Sequence, residues 1–265
     1  MGQSASLSSS PSRNVSFFHS SPKQPPFDKN QPGVFAKLTT PSLSKPKDFV
    51  HLISNCISAA STRTQEYLAF KDPEEKFHPS PQALTQVFLM TYIAQSFSLN
   101  MTDTFNCTIM TPEQRILLGA DWVWALLEKP TKNPKIQIAV QVVHLPEREN
   151  HENAAEEAKT ESIKMAQMES SSKNTYERMV NFCASVGKDC YALFLFFGKK
   201  DDKKNIYGVL SNNMEVAITK CGRVDRALVE NFFKGTKTFH KSSEMMRSII
   251  NNEKSEPLTL TIKFS

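Results

Sequence analysis

The residues able to act as nucleophiles or metal ligands are thinly spread. Five cysteines (Cys56, Cys107, Cys183, Cys190 and Cys221) form an odd count with no C-x-x-C pair, which suits neither a disulfide framework nor a zinc site. They read as reduced thiols serving as small apolar core residues, and the compartment as a reducing one. Six histidines (His19, His51, His78, His144, His151, His240) lack ligand spacing. One dyad stays open as an alternative, Cys190 with His144. Against it, Cys190 abuts an apolar run that reads as core, and a buried thiol without a base is inert. G-x-S-x-G, G-x-x-x-x-G-K-[ST], H-E-x-x-H and G-x-G-x-x-G are all missing, and eight glycines give a phosphate-cradling loop little material. The expectation is a protein without a catalytic site, without a cofactor or metal, and without a small-molecule substrate.

The basic residues do not point to nucleic acid either. Net charge is +5, and the pairs Lys199-Lys200 and Lys203-Lys204 flank Asp201-Asp202 and largely cancel, as at a solvated turn. The chemistry the N-terminus suggests is acylation. Met1-Gly2-Gln3-Ser4-Ala5-Ser6 matches M-G-x-x-x-[ST], with Gly2 as the myristoyl acceptor. One acyl chain binds membrane only marginally, at about 10⁴ M⁻¹, so a second signal is needed. No cysteine precedes Cys56 to take palmitate. Residues 1–46 supply a weak basic tail, with Arg13, Lys23, Lys29, Lys37 and Lys45 against Asp28. No secretory h-region is read, and Ile116 to Leu127 is too short to span a bilayer. Three glycosylation patterns, at Asn14, Asn100 and Asn106, carry no weight in a cytosolic chain.

The elements that must position any site begin after this tail. Residues 1–46 are rich in Ser, Pro, Lys and Thr and cannot bury enough surface to offset their ordering entropy, so they read as disordered. From Phe49 to Leu68 apolar residues recur at helical spacing, ending before Pro73. A second helix starts with Ser80 as cap and Pro81 in the first turn, running through Leu84, Phe88 and Tyr92. Ile136, Ile138, Val140 and Val142 alternate with Gln137, Ala139, Gln141 and Val143, predicting a strand with one wet face in an antiparallel sheet. Residues 147–172 form a polar insertion, a loop or loose helix, and residues 173–186 a helix. Tyr191 to Phe197 is an apolar run, read as a strand buried on both faces, with a hairpin over a long charged loop (Gly198 to Asn205) to Ile206–Leu210. Short helices at 223–233 and 242–250 and an alternating strand from Leu258 to Phe264 complete the pattern. The reading is an α+β single domain, residues 47–265, with helices packed on a mainly antiparallel sheet.

Thr111-Pro112-Glu113-Gln114 reads as a capping box opening a helix to Glu128. On such a helix Trp122 and Trp124 lie about 200° apart. Ile116, Ala120, Val123 and Leu127 then make a core stripe, and Leu118, Trp122, Ala125 and Leu126 a second apolar stripe. Either the helix is covered on all sides or the second stripe is a partner-binding surface.

Several blocks carry a resemblance: Met1 to Ser6, Glu66 to Phe70, Gly119-Ala120-Asp121-Trp122-Val123-Trp124, Ile136 to Gln141, Phe182 to Cys190, and Phe196-Phe197-Gly198. In this order, from Met1 to about Leu210, they resemble the Rab fifteen effector family. The resemblance implies binding to a GTP-bound Rab GTPase on early and recycling endosomes. It also implies a role in transferrin receptor recycling from the endocytic recycling compartment. The rival readings are a lipid-anchored scaffold without GTPase specificity and a small cytosolic enzyme.

Overall fold

The computed structural model describes residues 46–74, 76–149, 160–170, 172–216, 220 and 222–264, all within one compact unit, Ser44–Ser265. The expected disordered tail, Gly2 with it, and the middle of the 147–172 insertion lie outside the described residues.

Helix α1 (Pro46–Leu68) and helix α2 (Pro81–Ser98) come first, followed by strand β1 (Phe105–Ile109), helix α3 (Pro112–Leu118) and strands β2 (Trp122–Leu127) and β3 (Pro134–His144). Helices α4 (Pro146–Glu149), α5 (Glu161–Glu169) and α6 (Thr175–Val186) then lead to the hairpin β4 (Cys190–Lys199) and β5 (Asp202–Ser211). Helices α7 (Arg226–Asn231) and α8 (Ser242–Ile250) precede strand β6 (Thr259–Phe264).

The strands form one sheet in chain order, β1-β2-β3-β4-β5-β6, and every neighbouring pair is antiparallel except β3 and β4. A parallel pair needs a long crossover, which α4, α5 and α6 provide. The fold is therefore α+β on a mostly antiparallel sheet, as the element order implied. Side chains alternate between two apolar layers. Trp122, Trp124, Ile138, Val140, Leu193, Leu195, Ile206 and Ile262 pack under α1, α2 and α8. Val123, Ala139, Phe194, Phe196 and Val209 pack with Met179, Val180 and Cys183 of α6 and Val229 of α7 on the other side.

Several elements depart from the pattern read in the sequence. Strand β3 has no wet face: Ala139, Gln141 and Val143 are as buried as Ile138 and Val140, because helices cover both sides of the sheet. Its neighbour β4 runs parallel to it, the one parallel pair in a sheet that is otherwise antiparallel. The β4–β5 loop is short. Lys199 pairs with Asp202, so Lys200 and Asp201 alone connect the strands. The charged stretch stays in the strand because Asp202 Oδ2 accepts from Asn205 Nδ2 and Tyr207 Oη, each at 2.6 Å. Strand β1 had no sequence reading at all.

The largest correction concerns 111–128. The capping box forms as read: Thr111 Oγ1 accepts from Gln114 N and Gln114 Oε1 accepts from Thr111 N. The helix nevertheless ends at Leu118, and Trp122–Leu127 is a strand. Gly119 terminates the helix at φ 72°, a left-handed conformation that lacks a Cβ penalty only in glycine. A side chain there would also overlap the Thr175 carbonyl and sit 2.9 Å from Met179 N, so the turn is pressed against the start of α6. Asp121 then seats the strand. Its N–H donates to Val140 O at 2.7 Å, and its Oδ2 accepts from Val142 N at 2.7 Å. The carboxylate thereby pairs a β3 amide beyond the end of β2, a donor that would be costly to leave unpaired. Burial pushes the Asp121 carboxyl up from the usual range, against the opposing pull of the Val142 amide and Arg115.

Candidate partner-binding surface

The stripe expected from Leu118, Trp122, Ala125 and Leu126 does not exist as a surface, because it presumed a helix. Trp122 and Trp124, two residues apart on a strand, share one face. Both are 0% exposed, under Phe88 (centroid 5.7 Å from Trp122) and Tyr92 (5.1 Å from Trp124) of α2. Leu118 is half-buried at the end of α3, Leu126 packs against the Trp122 layer, and Ala125 points to the opposite face of the strand. The four residues are not brought together.

Cys190 and His144 are not brought together either. Cys190 pairs in register with Gln137, and His144 with Phe197, so the two stand seven residues apart along the parallel pair, or about 23 Å. They also face opposite layers. Cys190 packs with α6, while His144 Nε2 lies 3.2 Å from Thr85 Oγ1 of α2. Burial first, then Arg148 and Arg226, lowers the His144 pKa to about 3, so the ring is neutral at physiological pH.

The surface that stands out is the outer side of α2. Ser80 Oγ caps the helix by accepting from Ala83 N at 3.1 Å, and Pro81 occupies the first turn. Leu84, Phe88, Leu89, Tyr92 and Ser96 face the sheet. A surface helix ordinarily carries charge on its opposite side. This one carries none: from Pro79 to Thr102 there is no charged residue. Met90 (62% exposed), Ile93 (40%) and Phe97 (75%) instead form an outward stripe at i, i+3 and i+7. Single exposed apolar residues are ordinary, whereas these three are aligned on one side of a well-packed helix.

A second apolar feature adjoins the start of α2. Asp72 gathers the backbone that follows it, its carboxylate accepting from Glu74 N, Lys76 N and Phe77 N. Those amide contacts hold its pKa below the usual range. Phe77 stands edge-on to Phe70 with centroids 6.0 Å apart, both rings exposed. Tyr67, Phe70, His78, Leu84 and Arg148 line a cleft of about 380 Å³ beside them. Arg148 is held there by donating to Phe197 O at 2.9 Å and to Lys203 O at 3.4 Å.

Neither surface was legible as such in the sequence. Met90, Ile93 and Phe97 fall at helical spacing, but so do Leu84, Phe88 and Tyr92. The missing charge between Pro79 and Thr102 was the available signal.

Comparison with known proteins bears on who the partner is. The family model described as Rab15 effector matches residues 40–258. That match extends past Leu210, through α7 and α8, to the threshold of β6. A mouse (Mus musculus) protein named Rab15 effector protein is 28% identical over 212 residues, covering 78% of this chain and 89% of the relative. A Rab effector family implies a Rab GTPase as partner, and the buried Trp122–Trp124 pair with its Gly119 turn lies inside the matched region. With nearly all the described fold inside that match, the chain belongs to the Rab15 effector family.

Proposed function

We propose that the chain is an effector that recognises the GTP-loaded state of an endosomal Rab through the outward face of α2. The observation that carries this is the uncharged stripe Met90, Ile93 and Phe97 on a helix whose other side is locked to the sheet. Helices that insert into grooves present such i, i+3, i+7 anchors. An effector must also tell ordered switch segments from loosened ones, and a preformed surface does so with less ordering entropy than a flexible chain. Binding is therefore assigned to residues 47–265, not to the tail.

In the same proposal Gly2 is myristoylated and holds the protein on the cytoplasmic face of early and recycling endosomes. There it takes part in receptor recycling, including that of the transferrin receptor. The acylation pattern of Met1 to Ser6 supports the lipid, and the family supports the trafficking role. A capture assay with GTP-locked and GDP-locked Rab15 tests the core of the reading. Retention by the GTP form alone, lost on Phe97→Ala, is the expected result. Equal capture of both forms would favour a lipid-anchored scaffold instead.

A further inference from the structure

The two edges of the sheet are treated differently. The outer edge of β6 is covered: His240 donates to Thr261 O and accepts from Lys263 N, each at 2.9 Å. Among the described residues nothing pairs with the outer edge of β1. Thr104 O accepts from Leu127 N and Met110 N donates to Asp121 O, so the even-numbered positions of this stretch bond to β2. Alternation then aims the N–H and C=O of Cys107 and Ile109 away from the sheet. Phe105 offers its carbonyl outward as well, its N–H being committed to Met101 O at 2.8 Å. Edge strands are normally blunted by a lysine, a proline, a bulge or a covering segment. From Thr104 to Met110 there is no charge and no proline, and the register with β2 is unbroken.

We infer that β1 pairs with β1 of a second copy of this chain, antiparallel about a two-fold axis through Cys107, joining two six-stranded sheets into one. In that register the Cys107 N–H groups reach each other's carbonyls, and each Ile109 N–H reaches the Phe105 carbonyl of the second copy. Asn106 falls opposite Thr108 of the second copy at a non-hydrogen-bonded position, where side chains approach closest. Ile109, 50% exposed in one copy, gains Phe105 of the other as cross-strand neighbour.

Charge selects the second copy as occupant. In an isologous contact every residue meets its own equivalent patch, so any charge near the axis meets its like. The chain carries a net +5, yet Thr104–Met110 and the adjoining run Pro79–Thr102 are neutral. Asp103, the charge between them, is paired with Lys132 at 2.9 Å. The dimer also bears on anchoring, a consequence that rests on the proposed acylation while the dimer itself does not. Two copies bring two acyl chains to one membrane, and two chains supply the anchoring that one does not.

Full-length protein carrying Asn106→Cys is mixed with full-length protein carrying Thr108→Cys and oxidised with copper–phenanthroline. A disulfide-linked dimer should form in the mixture and not in either variant alone beyond the wild-type background. Wild type should sediment as a dimer at micromolar concentration. Ile109→Lys should sediment as a monomer and melt where wild type melts once diluted to a monomer. A wild-type monomer with no cross-link in the mixture overturns the inference. So does a monomer whose capture of GTP-loaded Rab15 is abolished by Ile109→Lys, since that would assign the edge to the GTPase. Rab capture retained on Phe97→Ala while the dimer persists would sink the α2 proposal and leave this one standing; capture lost on Phe97→Ala by a protein that is monomeric would do the reverse.

Discussion

The indole rings of Trp122 and Trp124 meet edge to face, with centroids 5.7 Å apart and planes inclined at 65°. They meet because a strand returns to the same face every second residue, and Phe88 and Tyr92 of α2 close over them. This aromatic cluster fastens α2 to the sheet, and so holds the outward stripe in place.

Trp122→Ala should lower unfolding free energy by about 3–5 kcal/mol, the cost of emptying a large buried site. Urea denaturation measures it. Rab capture should weaken only as far as the folded fraction falls. An unaltered unfolding midpoint would mean that Trp122 is not the fastening described.

Substitution on the outer side of the same helix should do the reverse. Phe97→Ala should leave the melting temperature within about 1 °C and cost about 2 kcal/mol or more of affinity for GTP-loaded Rab15. Ile93→Lys should act in the same direction. Calorimetric titration and thermal melts on one preparation test both halves.

Gly119→Ala should destabilise by more than about 2 kcal/mol, from left-handed backbone strain together with collision against the start of α6. Asp121→Asn is expected to be mild by contrast. It keeps an oxygen for the Val142 amide and removes a carboxylate whose burial is unfavourable. Because the folded-state pKa of Asp121 is raised, its ionisation subtracts stability as pH rises through the carboxylate range. The advantage of Asp121→Asn should therefore be present at neutral pH and vanish below about pH 4. Chemical denaturation at both pH values decides it.

His144 should make the fold acid-sensitive in the opposite sense. Its folded-state pKa, lowered to about 3 by burial and by Arg148 and Arg226, lies below the ordinary histidine value of about 6.5. Between these values the unfolded chain binds a proton that the native state does not. Stability should fall as pH drops through this window, by at most about 1.4 kcal/mol per pH unit, and the contribution should level off below it. His144→Gln should flatten that part of the stability profile.

Gly2→Ala should move the protein from the membrane fraction to the soluble fraction, with loss of the acyl mass from the intact protein. Wild-type protein without that mass, fractionating identically to the variant, would refute the lipid anchor.

What the sequence determined by itself was what a few adjacent residues can enforce. Ser80-Pro81 and Thr111-Pro112-Glu113-Gln114 satisfy the free amides of a helix start from within one turn, so both starts stand where they were read. The alternation of β6 and the apolar run of β4 likewise follow from a period of two and from complete burial. The blocks that resemble the effector family were equally visible. Trp122–Leu127 was different, because a short uncharged run satisfies a helix and a strand alike. Only β1 on one side and β3 on the other supply the hydrogen bonds that make it a strand. Only α6 pressing on Gly119 shows why the preceding helix stops. The tertiary structure also decided which apolar face of α2 remains outside. Leu84 and Met90 are alike to local rules, and it is Trp122, 34 positions beyond Phe88 in the chain, that turns one side of the helix inward and leaves Met90, Ile93 and Phe97 facing outward.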